Sequence, residues 1–235
     1  MIKNFIKRIV FPNSYSSESY IKHLRSIGMI IGNNTIIYSP NHTFIDEQRP
    51  FLITIGENCK ITRGVTILSH DYSRSVIRKA FGENIGEAKK TIIGNNVFIG
   101  NNGMILMGAE IGDNCIVAAG SVVTKHFPDN VVIGGNPARI ICTLEEYYHK
   151  RKSLSIEEAK MYAKLIFERT GRIPTIKEMG NAFAWLYIPR TKENIDKYKE
   201  FFYLTGDDSK DIMDNFLSSK PIYNSYEDFI NDCDF

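Results

Sequence analysis

Aliphatic residues recur at every sixth position through much of this chain. Ile31 and Ile37 form one block, Ile55, Ile61 and Ile67 a second, and Ile93, Ile99, Ile105, Ile111, Val117 and Val123 a third. Glycine follows the aliphatic at Gly32, Gly56, Gly94, Gly100 and Gly112. Four places after the aliphatic the side chain is small or modest, as at Thr35, Cys59, Val65, Val97, Gly103, Ala109, Cys115 and Ser121, with Asn41, Asp71 and Phe127 as exceptions. A period of six matches neither the 3.6 of an amphipathic helix nor the two of a half-buried strand. It matches a β-solenoid, in which short strands send one aliphatic inward and small residues fill the corners. The "IGNN" and "IGDN" turns supply residues that tolerate positive φ. One coil cannot cover its own apolar face, so several must stack.

The beat is confined to the middle of the chain. Residues 1–28 read as a helical segment: Ile2, Phe5, Ile6, Ile9 and Val10 fall at helical spacing, and Ser16 to Ile27 reads as a helix ending at Gly28. Packing on the body is the reading for the first of these, with weak contact to a membrane surface as its alternative. Residues 29–142 carry the repeat, and residues 143–235 have lost it. In this tail helices are expected from Leu144 to a stop at Gly171, then over 175–186, 192–204, 208–217 and 226–233. The cluster "AFAWLY" around Trp185 reads as core that packs on the last coil. The beat also breaks inside the solenoid, directly after "TILSHD", and resumes at Ile93. Residues 73–90 are expected to project there as a loop.

Composition narrows the function. A net charge of +2 without a long basic run gives no sign of nucleic-acid binding. The four cysteines form no CxxC pair, which disfavours a zinc ribbon or thioredoxin site and suits a reducing cytoplasm. No apolar run has transmembrane length.

The segments "IGDNCIVAAGSVVTKHFPDNVVIGGNPARII" and "RPFLITIGENCKITRGVTILSHDYS" carry a resemblance. The chain resembles the hexapeptide-repeat acyltransferases over roughly residues 28–142. Its closing coil is similar to that of the maltose and galactoside O-acetyltransferases and their capsule-modifying relatives. The resemblance implies a left-handed parallel β-helix, acetyl-CoA as co-substrate, no metal, a homotrimer, and a carbohydrate acceptor of surface polysaccharide synthesis. It also implies His70, just before the extended loop, as general base. A sugar hydroxyl attacks a thioester poorly unless its proton is removed as the bond forms, and imidazole is suited to that near neutrality. Its orienting partner is open among Asp71, Asp46, Glu83 and Glu87. Acceptor contacts are expected from Asn41, His42, Asp46 and Asp71. For the donor, Asn101 stands where the galactoside enzymes carry a serine on the pantetheine arm. Ala119 follows one eighteen-residue coil later. Thr124 and Lys125 match the family's "TK", and Arg139 its basic residue near the CoA phosphates. Cys142 stands where a second basic residue is frequent, which shifts phosphate contacts toward Lys150 or Arg151. The competing readings are acetylation of an amino sugar, a serine or an antibiotic, a non-catalytic scaffold, and a metal hydratase, whose histidine spacing is missing here.

Overall fold

The computed structural model describes residues 10–203 and 206–235, so the helical stretch expected from Ile2 to Val10 lies, except for Val10, outside the described residues. Two compact units divide the chain, residues 1–147 and 148–235.

In the first unit helix α1 (Ser17–Ser26), started by a capping box at Ser16, precedes the strands. Fourteen short strands follow. They are β1 (Ile30–Ile31), β2 (Ile36–Ile37), β3 (Phe44–Ile45), β4 (Ile53–Ile55), β5 (Lys60–Ile61), β6 (Thr66–Ile67), β7 (Thr91–Ile93), β8 (Phe98–Ile99), β9 (Met104–Ile105), β10 (Glu110–Ile111), β11 (Ile116–Val117), β12 (Val122–Val123), β13 (His126–Phe127) and β14 (Val131–Gly135). The chain deals them in rotation onto three parallel sheets. The first sheet runs β1-β4-β7-β10-β13, the second starts at β2 and passes β5, β8 and β11 to β14, and the third runs β3-β6-β9-β12. Strand β15 (Ala138–Thr143) then turns back antiparallel to β14 and ends the second sheet.

Register explains the six-residue beat. Ile31, Ile55, Ile93, Ile111 and Phe127 stack in the first sheet, Ile37, Ile61, Ile99, Val117 and Ile133 in the second, and Ile45, Ile67, Ile105 and Val123 in the third. All are buried in one core. Each contributes roughly 1.5–3 kcal/mol by leaving water, so the columns hold the coils together. Two positions differ from the sequence expectation. Ile45 belongs to the repeat but follows Ile37 by eight residues, because a short 3-10 turn (Pro40–His42) lengthens that corner. Phe127, expected at a corner, occupies an interior position because the corner before it is two residues shorter.

The corner between the first and second sheets needs special backbone. Asn34, Asn58, Asn96, Asn114 and Asn130 all have φ between 54° and 59°. Asparagine accepts this left-handed conformation better than other residues with a Cβ. Their side chains also link coils, with Asn96 Nδ2 donating to Asn114 Oδ1 at 2.9 Å and Asn114 Nδ2 to Asn130 Oδ1 at 3.2 Å. Beside this ladder Gly56 lies so close to the next coil that a Cβ would stand 2.5 Å from the Gly94 carbonyl oxygen.

The region expected to project, residues 73–90, holds an eight-residue helix, α2 (Arg74–Phe81), ended by Gly82 at φ 77°. Its base is closed: Lys89 N–H donates to the Ser69 carbonyl at 3.1 Å and Thr91 Oγ1 to the Leu68 carbonyl at 2.6 Å. Tyr72, Val76, Phe81 and Ile85 in and beside it are all more than half exposed.

Helix α3 (Leu144–Thr170) ends before Gly171 at φ 70°, as predicted. The short helices α4 (Ile176–Met179), α5 (Ala184–Tyr187), α6 (Lys192–Lys197) and α7 (Lys199–Phe202) follow, then α8 (Ser209–Ser218) and α9 (Tyr226–Asn231). The helix expected over 175–186 is broken at Gly180, whose φ is 67°, and that over 192–204 at Tyr198. These elements share their own core around Tyr187, Phe216 and Phe229. Trp185 packs within it, edge-on to Phe202 and Phe216, with the Arg190 guanidinium 5.2 Å from its ring. The Trp185 cluster is therefore core of the helical unit itself.

Candidate active site

Strand β6 ends at Ile67, and the chain reaches His70 at the corner between the third and first sheets. One coil earlier the same corner carries Asp46, just past Ile45 of β3. Asp46 N–H donates to the Ile67 carbonyl at 2.9 Å, so the ladder itself sets the two coils in step. His70 Nδ1 bonds Asp46 Oδ2. The same oxygen accepts Ser69 Oγ–H at 2.6 Å and Ser69 N–H at 3.2 Å, and Oδ1 accepts Gln48 N–H at 3.0 Å. Asp46 is only 1% exposed.

Burial alone would raise the Asp46 carboxyl, but the hydrogen bonds from Ser69, His70 and Gln48 outweigh it and hold the group below its usual range. An ionised carboxylate only accepts, so His70 Nδ1 is the donor, and in the neutral imidazole Nε2 is the nitrogen that carries the lone pair. The His70 side chain keeps 11% of its surface exposed. Of the four partners open from sequence, geometry selects Asp46. Asp71 instead accepts Ser73 N–H at 2.7 Å, Glu87 meets Lys89 at 3.4 Å, and Glu83 is exposed. Helix α1 braces the Asp46 corner. His23 Nε2 meets Glu47 Oε2 at 2.9 Å, and Tyr20 is buried against Ile45, where burial and then the Glu47 charge push its phenol up to about 12.

The other expected residues divide by corner. Thr124 and Lys125 lie on the His70 corner two coils further on, since β6, β9 and β12 are consecutive in the third sheet. Both are exposed, with Lys125 Nζ 5.6 Å from the Phe127 ring. Asn101 and Ala119 stack on the opposite edge of that sheet, where Gly120 N–H donates to the Asn101 carbonyl at 2.8 Å. Asn41 and His42 sit on that same far corner, His42 accepting Gly64 N–H at 3.0 Å and Asn41 accepting Ser14 Oγ–H at 2.7 Å. A whole side of the coil, the third sheet, separates this corner from that of His70. One chain therefore does not bring Asn41, His42, Asn101 or Ala119 to its own His70. Asn41 and His42 precede Ile45, the repeat position hidden by two extra residues, and so belong to the corner between the second and third sheets. Asp46, expected to face an acceptor, is buried with both oxygens engaged. Arg139 lies exposed in β15, its Nη1 on the Ala138 carbonyl at 2.9 Å, and Cys142 is partly buried in the same strand.

Sequence reasoning missed Ser69. Its hydroxyl is fully buried and addresses the same carboxylate oxygen as His70, but one serine beside a histidine gives no signal of its own. Among the described residues no group of histidine, cysteine, aspartate and glutamate is placed to hold a metal ion. No helix among them is long and apolar enough to cross a membrane.

Comparison with known proteins agrees with the repeat. Residues 90–125 match the family model described as the hexapeptide repeat of succinyl-transferase. Protein CapG of Staphylococcus aureus is 42% identical over 146 residues, covering 59% of this chain and 84% of that protein. Galactoside O-acetyltransferase of Escherichia coli strain K12 is 35% identical over 120 residues, 47% of this chain, and the chain spans 54% of that enzyme. A galactoside acetyltransferase structure in complex with coenzyme A aligns at 28% identity with a TM-score of 0.42, covering 61% of this chain and 80% of that one. With its six-residue beat, its three parallel sheets and a relative matched over most of its length, the chain belongs to the hexapeptide-repeat acetyltransferase family.

Proposed function

We propose that the protein is an acetyl-CoA-dependent O-acetyltransferase acting on a hydroxyl of a carbohydrate, in the building of a surface polysaccharide, with His70 as general base. The single observation that carries this is the buried Asp46–His70 pair at the interrupted coil. It fixes which ring nitrogen bears the proton and leaves the other to receive one. The acceptor oxygen attacks the thioester carbonyl carbon while its proton passes to His70 Nε2. The tetrahedral intermediate then collapses with cleavage of the carbon–sulfur bond. His70 returns the proton to the departing sulfur, giving the acetyl ester and free CoA thiol. Asp46 stabilises the imidazolium formed in between, and Ser69 keeps that carboxylate ionised and aligned. The name of the galactoside O-acetyltransferase relative supports a sugar hydroxyl as acceptor.

The solenoid is read as a left-handed β-helix and the working unit as a cytoplasmic homotrimer. Two features support assembly. Asn101 and Ala119 lie a full sheet width from His70 in the same chain, so a donor groove using all three needs a second copy. The inserted segment exposes Tyr72, Val76, Phe81 and Ile85, apolar surface that a neighbouring copy would cover. Thr124, Lys125 and Arg139 then serve the donor, with the two cations at the CoA phosphates. Incubation with acetyl-CoA and a panel of glycosides, read by mass spectrometry, tests the proposal. Gain of one acetyl group on a sugar hydroxyl supports it, whereas transfer to serine or an aminoglycoside amine alone refutes the carbohydrate assignment.

A further inference from the structure

Arg49 stands three residues past Asp46, on the same corner as His70 and one coil earlier. Its backbone is held on both sides: Pro50 follows it, and its carbonyl accepts Leu52 N–H at 3.0 Å. Arg49 is half-buried, and its side-chain Nε is fully covered and has no hydrogen-bond partner. The two carboxylates nearest in sequence are already committed. Asp46 is taken by Ser69, His70 and Gln48, and Glu47 pairs with His23. Among the described residues no carboxylate forms an ion pair with Arg49.

This arrangement breaks a strong rule. A guanidinium is always charged, and a buried donor on it without an acceptor is destabilising. Such violations concentrate where a ligand completes the set. The missing partner is an anion with paired oxygens, since the planar fork of arginine matches carboxylate and phosphate. Successive coils are about 4.8 Å apart. The backbone of Arg49 is thus one coil from that of His70 on the same corner of the solenoid.

We propose that Arg49 binds an anionic group on the acceptor, a carboxylate or a phosphate ester, so that the preferred substrates are acidic carbohydrates. This rests on the carbohydrate reading above and goes beyond it in naming the acceptor's charge.

The test uses the full-length protein saturated with CoA. Binding of methyl glucuronoside, glucose 1-phosphate and neutral methyl glucoside is measured by calorimetry for wild type and Arg49→Gln. Melting temperature, CoA affinity and thiol release from acetyl-CoA are measured alongside. The expected result is a preference of about tenfold or more for one of the two anionic sugars over the neutral one, the size of a charge-assisted hydrogen bond. The preferred anion identifies carboxylate or phosphate. In Arg49→Gln the ratio falls to near one, while the melting temperature stays level or rises because a half-buried charge has gone and no ion pair is lost. Equal binding of all three sugars by wild type overturns the proposal, as does a preference that survives the substitution. A loss of CoA affinity in Arg49→Gln also overturns it, by assigning the arginine to the donor phosphates. A lowered melting temperature with an unchanged ratio shows a purely structural arginine. Transfer to sugars without any charge preference sinks Arg49 alone and leaves the carbohydrate reading standing. Transfer to serine with none to any of the three sugars refutes both.

Discussion

Asp46→Asn removes one charge and leaves the shape of the side chain nearly unchanged. In the native site the carboxylate accepts from four donors: Ser69 Oγ, Ser69 N, His70 Nδ1 and Gln48 N. An asparagine has one acceptor oxygen. If that oxygen stays with Ser69 and His70, the amide nitrogen faces the Gln48 N–H, and two donors meet in a buried space. A buried donor left unsatisfied costs about 1–3 kcal/mol, and the surviving bonds lose their charge assistance, so a destabilisation of about 2–4 kcal/mol is expected. The chemical step suffers separately, because the imidazolium formed at His70 loses its counter-charge. Asp46 acts only through His70, whose base catalysis is worth ~10²–10⁴-fold, so kcat should fall by about a hundredfold with little change in the KM for acetyl-CoA. Thiol release and urea unfolding measure the two effects. The stability loss also has a pH signature. The Asp46 carboxyl is held below its unfolded value near 3.9, so between the two values the unfolded chain binds more protons and stability rises with pH. The stabilisation is complete above the unfolded value and is lost as pH falls through the folded one. The gap between wild type and Asp46→Asn should therefore narrow on acidification below about pH 4. A variant with wild-type kcat at neutral pH, or a gap that widens on acidification, would refute this reasoning.

Three further outcomes follow from other parts of the molecule. Gly56→Ala should destabilise the solenoid by about 3 kcal/mol or abolish soluble expression, since its Cβ meets the backbone of Gly94 at 2.5 Å; urea unfolding close to wild type would show that the coils can separate. Lys125→Ala and Arg139→Ala should each raise the Kd for CoA several-fold and leave kcat at saturating acetyl-CoA nearly unchanged, because phosphate contacts are alike in ground and transition states; unchanged CoA affinity by calorimetry in both would place the phosphates elsewhere. Residues 1–147 form a compact unit of their own, so a chain ending at Tyr147 should stay soluble and keep CoA binding; insoluble protein or lost CoA binding by calorimetry would show that the repeat needs the helical unit.

Much of the fold was legible because its physics is periodic. An interior aliphatic every six residues, glycine where coils touch and asparagine where φ turns positive all leave regular marks, and the three sheets follow them. What escaped was aperiodic. Two extra residues before Ile45 hid a true repeat position, and with it the corner to which Asn41 and His42 belong. Gly180 broke an expected helix because a left-handed glycine does not announce itself in an apolar pattern. At the site, the break after "SHD" pointed to His70, but choosing Asp46 over Asp71, Glu83 and Glu87 required the register of β3 on β6. Ser69 and the orphaned Nε of Arg49 are contacts across or within one corner, and no spacing rule encodes them.

His70→Gln is the substitution that bears most directly on the assignment of the base. Glutamine keeps a polar side chain but removes the nitrogen that accepts the proton, and it leaves the aliphatic columns untouched. The measurement is kcat for acetyl transfer to an accepted glycoside, with CoA affinity by calorimetry on the same preparation. The expected result is a fall in kcat of at least about a hundredfold with CoA affinity unchanged. Near-wild-type transfer by a folded, CoA-binding His70→Gln protein would contradict the assignment of His70 as the base.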